Sequence, residues 1–119
     1  MTPDDLWRRY AALWSTNPRE RDDEMAACLA DEVAYCDPHI EVTGRATLAA
    51  YMDGFQQNVP GGYFVISSVQ HHHRHTFARW SLRGADGQTL QTGASFGLLS
   101  DNNRLQTITG FFPLANEAT

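Results

Sequence analysis

Cysteine is scarce: Cys28 and Cys36 are the only two among 119 residues. Two thiols cannot build the disulfide framework of a small secreted fold, and in a reducing compartment both behave as small hydrophobic side chains. Positive charge is scarce too. Nine Lys+Arg against fourteen Asp+Glu leave a formal net charge of -5 and a pI near 5.4. With no basic cluster, the chain is a poor partner for nucleic acid or an anionic membrane surface. Its apolar stretches fall far short of a membrane span, and the acidic start Met1-Thr2-Pro3-Asp4-Asp5 is unlike a signal or transit peptide. The expectation is a cytoplasmic protein. Internal repeats, low-complexity tracts and linkers are also missing. Residues 1–119 therefore read as one domain, long enough to bury roughly two-thirds of the surface its unfolded form exposes.

What is present divides into two halves. Thr2-Pro3-Asp4-Asp5 sets a cap residue, a proline at the first helical position and an acid three residues after the cap, and Leu6, Tyr10, Leu13 and Trp14 follow at helical spacing. Asn17-Pro18-Arg19-Glu20 repeats the device for a second helix, which keeps Met25, Cys28 and Leu29 on one side and is expected to end near Asp31. A strand through Val33 and Asp37 stops at Pro38, and a short extended piece around Glu41-Val42 leads to Gly44. Leu48, Tyr51, Met52 and Phe55 then mark a third helix, closed by Pro60-Gly61-Gly62. From Tyr63 the period changes to two: Tyr63 to His71, Thr76 to Arg83, Thr89 to Leu99 and Leu105 to Phe112 read as strands. Asp86-Gly87 and Asp101-Asn102-Asn103 supply turns. Helices first and antiparallel strands afterwards is the α+β arrangement. Gly93, Gly97 and Gly110 inside strands imply sharp curvature, so the expected shape is a cone: a curved antiparallel sheet wrapped around three N-terminal helices, with an open mouth.

Asp37 carries the main chemical signal. Alternation along Val33-Ala34-Tyr35-Cys36-Asp37 places its carboxylate on the face of Val33 and Tyr35, and Pro38 puts it at a strand end, where side chains reach a cavity. A carboxylate among apolar neighbours is costly unless partnered, and one poised beside a cavity suits proton transfer. The competing reading is an Asp-Pro turn residue bonded to local backbone amides. His39, two residues on, is either a solvated loop side chain or a group that polarises a carbonyl, protonates a leaving hydroxyl or steadies Asp37. Tyr10 is either a core tyrosine or a donor to a developing oxyanion.

The run His71-His72-His73-Arg74-His75 lies at an expected strand-to-strand turn. Its His-x-His pair lacks a third ligand at motif spacing, so no metal is assigned; one histidine of the run could reach the cavity as a proton shuttle, and His73 is the candidate although the pattern does not say which. Tyr35, Tyr51, Met52, Phe55, Trp80, Ile108 and Phe112 supply an apolar lining. They either fill the cone or, with Gly93, Ser95 and Gly97 leaving room, enclose a compact apolar ligand. Phe77 and Arg79 fall on the opposite face from Trp80.

In order and spacing, these pieces resemble the SnoaL-like proteins of the nuclear transport factor 2-like superfamily, a group with polyketide cyclases and ketosteroid isomerases. The resemblance rests on Arg9-Tyr10-Ala11-Ala12-Leu13, Leu29-Ala30-Asp31-Glu32-Val33 running into Tyr35-Cys36-Asp37-Pro38, and Val42-Thr43-Gly44-Arg45. It continues through His72-His73, Ala78-Arg79-Trp80, Arg104-Leu105 and Thr109-Gly110-Phe111-Phe112. It implies a cystatin-like α+β barrel, no cofactor, and a homodimer through the outer sheet face. It also implies Asp37 as the base, Tyr10 as an oxyanion donor, and Ser95 where the isomerases carry a second donor, a protonated aspartic acid. The resulting expectation is an isomerase, cyclase or dehydratase acting on a compact apolar carbonyl compound. The alternative is a non-catalytic ligand-binding or assembly module.

Overall fold

The computed structural model describes residues 1–114. Helix α1 spans Pro3–Leu13, and its start is the expected capping box: the Thr2 hydroxyl accepts the Asp5 N–H at 3.1 Å while the Asp5 carboxylate accepts the Thr2 N–H at 3.3 Å. Helix α2 spans Pro18–Cys28, capped by Asn17, whose side-chain oxygen accepts the Arg19 N–H at 2.9 Å. It ends three residues before Asp31. Leu29 already has an extended backbone and pairs with Leu105, so Leu29 to Asp31 belong to strand β1, Leu29–Asp37. Strand β2 is Ile40–Thr43, and helix α3, Arg45–Asn58, begins after Gly44, whose φ of 95° only glycine takes without strain. Four strands follow: β3 Tyr63–His72, β4 His75–Arg83, β5 Thr89–Leu99 and β6 Leu105–Phe111.

The strands form one sheet in the order β2-β1-β6-β5-β4-β3, which remains open because β2 and β3 are its edges. Four pairings are antiparallel, whereas β1 and β6 run parallel, a departure from an all-antiparallel sheet. Parallel neighbours need a long crossover, and here the whole segment between them provides it. The helices and one face of the sheet enclose the core, where Leu6, Trp7, Leu13, Met25, Leu48 and Leu105 are almost wholly buried. Met52 and Ile108 belong to this packed layer at 0% and 1% exposure. Strand β5 is approached closely by α1 at Gly97, where a Cβ would stand 2.6 Å from the Trp7 ring and 2.8 Å from Leu105. Among the described residues, no helix is long and apolar enough to cross a membrane.

Candidate functional site

Between the helices and the concave face of the sheet lies a cavity of about 370 Å³, at the small end for ligand pockets, whose lining is dominated by aromatic side chains. Its exposed lining residues, His39 and Asn58, mark the rim. No Lys or Arg lines it; the one carboxylate is Asp37.

Asp37 closes β1 on the face of Val33 and Tyr35, as alternation requires, and it both lines the cavity and makes the local turn contact. Oδ1 accepts the His39 backbone N–H at 2.8 Å, the turn contact, while Oδ2 accepts the hydroxyls of Tyr35 at 2.6 Å and Tyr51 at 2.9 Å. The carboxylate is therefore not bare among apolar atoms. Of roughly four acceptor positions on a carboxylate, three are occupied, which fixes the group and leaves capacity on Oδ1 for one more proton.

The phenols around it are strongly perturbed. Burial pushes Tyr35 far above the ordinary tyrosine range, with neighbouring Tyr10 and the bond to Asp37 adding to it. Burial also raises Tyr51, again reinforced by donation to Asp37. Tyr10 is raised chiefly by burial, against a hydrogen bond from Trp14 that works the other way. All three remain neutral donors near pH 7. Around them Trp14 sits edge-on to Tyr51, Phe55 and Phe64, with ring centroids 5.6 to 5.8 Å apart. On the sheet side, Trp80 donates its indole N–H to Ser95 Oγ at 3.0 Å.

Nine of the residues singled out from sequence line this cavity: Asp37, Tyr10 and His39 together with Tyr35, Tyr51, Phe55, Trp80, Ser95 and Phe112. His39 touches the site twice, through its N–H on Asp37 and through its ring, 5.3 Å from that of Phe112. Met52 and Ile108 do not line it. Met52 follows Leu48 by one helical turn onto the core side of α3, one position round from Tyr51, and Ile108, on β6 beside Tyr35 of β1, is buried in the core. His73 is also misplaced by sequence. The pairing of His72 with His75 makes His73-Arg74 the tip of the β3–β4 hairpin, where His73 has a φ of 54°, is exposed, and faces His72 across 3.1 Å between Nδ1 atoms. It is not among the lining residues, so at this position it does not serve the cavity as a proton shuttle. Among the described residues, no three His, Cys, Asp or Glu side chains gather where a metal would be held.

Sequence reasoning missed Trp14, Phe64, Ile66, Leu82 and Gln91 as lining residues. Trp14 had a signal in the apolar stripe of α1, Phe64 and Ile66 share one strand face, and Leu82 shares a face with Trp80. Gln91 had none.

The sequence pattern of the SnoaL-like domain family matches residues 7–102. The chain belongs to that family. Among solved structures it is similar to a candidate isomerase of the SnoaL-like family from Agrobacterium tumefaciens, at 24% identity, covering 92% of this chain and 96% of that one, with a TM-score of 0.85. A candidate ketosteroid isomerase from Kribbella flavida is 26% identical over 93% of this chain and 77% of its own, with a TM-score of 0.68. A candidate SnoaL-like polyketide cyclase from Jannaschia sp. CCS1 shares the fold at 13% identity, with 98% and 92% coverage and a TM-score of 0.77. No curated protein matches. The three helices and the curved, open sheet are the nuclear transport factor 2-like α+β fold seen in these neighbours.

Proposed function

We propose that this SnoaL-like protein is a proton-transfer enzyme that works without a cofactor on a compact, apolar, neutral carbonyl compound, with Asp37 as its base. The observation that carries the reading is a carboxylate fixed by two tyrosine hydroxyls and a backbone N–H in the wall of an aromatic cavity that no Lys or Arg lines. A free oxygen position on Asp37 takes a proton from the carbon beside the carbonyl. The C–H electron pair moves into the carbonyl, and the resulting enolate oxygen is met by hydroxyl donors in the lining, Tyr10 and Ser95. Returning the proton to a different carbon isomerises the substrate. Attack of the enolate carbon on a second carbonyl closes a ring, the new alkoxide taking the proton back from Asp37; alternatively, the enolate expels a β-hydroxyl, which leaves as water with that proton. The names of the neighbours, isomerase and polyketide cyclase, agree with this range of outcomes.

The reading is tested with 2-tetralone, a small bicyclic ketone with acidic hydrogens beside its carbonyl, in heavy water. The protein is expected to accelerate exchange of those hydrogens, followed by proton NMR. Exchange no faster than in buffer would favour the alternative, a non-catalytic ligand-binding module.

The partner proposed for the outer sheet face is a second copy of the chain. Phe96 at 39% and Phe111 at 61% exposure lie there beside Phe77, and the Arg79 guanidinium covers the Phe77 ring at 5.0 Å. A cross-strand aromatic cluster of this kind, on the face opposite Trp80 and Ser95, suits a two-fold contact.

A further inference from the structure

The histidine run stands outside the cavity lining, and the hairpin rearranges it. Along a strand, His72 and His73 would point to opposite faces, while His71 and His73 would share one. The β3–β4 hairpin breaks that alternation. His72 pairs with His75 across the two strands, so His73-Arg74 form a two-residue loop, and His73 enters it with a left-handed φ of 54°. Leaving the extended conformation brings the neighbouring rings together: their Nδ1 atoms stand 3.1 Å apart, with the ring planes at 87°. Both side chains are exposed. The loop is tied to the β5–β6 turn, because the Arg74 carbonyl accepts the Leu99 N–H at 2.8 Å and the Arg74 guanidinium pairs with Asp101 at 2.7 Å. That ion pair offsets the adjacent positive charge, and the chain's net charge of -5 favours an approaching cation.

Two imidazole nitrogens at this separation are spaced as ligands. With metal–nitrogen bonds of about 2.0 to 2.1 Å, nitrogens 3.1 Å apart subtend about 95 to 102° at a shared ion, between the roughly 90° of a tetragonal site and the roughly 109° of a tetrahedral one. In the neutral pair, one Nδ1 carries a proton and donates to the other. Moving that proton to the exposed Nε2 of the same ring leaves both Nδ1 lone pairs for an ion. We infer that His72 and His73 form a bidentate site for a late first-row divalent cation, Cu2+ most tightly, held through both Nδ1 atoms at the hairpin tip and independent of the cavity. Imidazole suits Cu2+, Ni2+ and Zn2+, and affinity at a nitrogen site rises along the row to Cu2+. Among the described residues no third His, Cys, Asp or Glu completes the group, so water fills the other positions. The His75 ring lies beside that of His72, with centroids 5.5 Å apart and planes at 36°, and flanks the site without joining it.

The test titrates the untagged chain with Cu2+ near neutral pH, glycine serving as competitor, and follows binding by calorimetry and electron paramagnetic resonance. It is repeated for His71→Ala, His72→Ala, His73→Ala and His75→Ala. The wild type is expected to bind one Cu2+ per chain, with a tetragonal signal split by two imidazole nitrogens. His72→Ala and His73→Ala are each expected to weaken binding at least about tenfold, since losing a direct ligand costs no less than losing an outer-shell partner, whereas His71→Ala and His75→Ala stay within about threefold. In long-range proton–nitrogen NMR spectra, Zn2+ is expected to shift Nδ1 of His72 and His73 while Nε2 keeps its hydrogen. Equal losses in all four variants, or none in any, would show adventitious binding spread over the histidine run and overturn the site. A loss in His75→Ala as large as in His72→Ala would overturn the two-ligand assignment, and Zn2+ shifts confined to Nε2 would overturn its geometry.

Discussion

Raising the pH reaches the site through its phenols. Tyr10, Tyr35 and Tyr51 are all pushed up by burial, and Tyr35 and Tyr51 further by donating to Asp37. In the unfolded chain they ionise near pH 10, whereas the folded protein holds their protons to higher pH. Above that point the folded state binds more protons than the unfolded state, so the stabilisation is complete below about pH 10 and declines as the pH rises. The chain contains no lysine, which leaves the alkaline range unusually clear. Cys28 acts in the same direction from a lower starting point, since burial pushes its thiol up to about 11. Counting only the two most enclosed phenols, Tyr10 and Tyr35, the limiting slope is about 2.7 kcal/mol lost per pH unit, from about 1.36 per proton. Tyr51, in more open surroundings, adds less. Urea unfolding curves between about pH 9 and 12, with tyrosinate absorbance recorded alongside, measure this slope. Tyrosinate absorbance is expected to grow mainly as the fold is lost. Ionisation of most tyrosines near pH 10 in a protein that remains folded would refute the argument that these hydroxyls are buried and engaged.

Two further perturbations follow from the packing. Gly93→Ala would place a methyl group 2.4 Å from the Trp80 ring and 2.6 Å from the Phe111 carbonyl oxygen. It is expected to cost about 1 to 3 kcal/mol and lower Tm by several degrees in a thermal melt, and unchanged stability would show that the Trp80 ring does not pack against Gly93 of β5. For the outer face, the double change Phe96→Arg and Phe111→Arg is expected to shift a dimer to a monomer in sedimentation velocity with little change in Tm. A wild-type chain already monomeric at high concentration would remove the dimer proposal.

The local part of the fold was legible because local chemistry writes it. Thr2 and Asn17 cap helices through side chain to backbone bonds between residues two or three apart. Leu29 was harder: an apolar residue after Cys28 fits the end of a helix as well as the start of a strand, and its pairing with Leu105 across the sheet decides for the strand. The parallel contact of β1 with β6 left no trace in periodicity, since alternation specifies a face but not a neighbour. Asp37 was found from its own strand, yet its side-chain partner outside that strand, Tyr51, is fourteen positions away on α3, and no spacing rule connects them. Tyr51 and Met52 illustrate the grain of such reading. Both belong to the apolar stripe of α3, but a rotation of one residue separates the cavity wall from the packed core. His73 was assigned by composition alone, and hairpin register sends it to the sheet tip.

The most direct measurement is the rate at which wild-type and Asp37→Asn proteins exchange the acidic hydrogens of 2-tetralone, with affinity for the ketone determined in parallel. Asparagine retains the shape of the side chain and can still accept from Tyr35 and Tyr51, but it cannot take a proton. The account predicts a loss of at least about a hundredfold in exchange, within the range general bases contribute, with affinity changed less than about threefold. Exchange as fast in Asp37→Asn as in the wild type would contradict it.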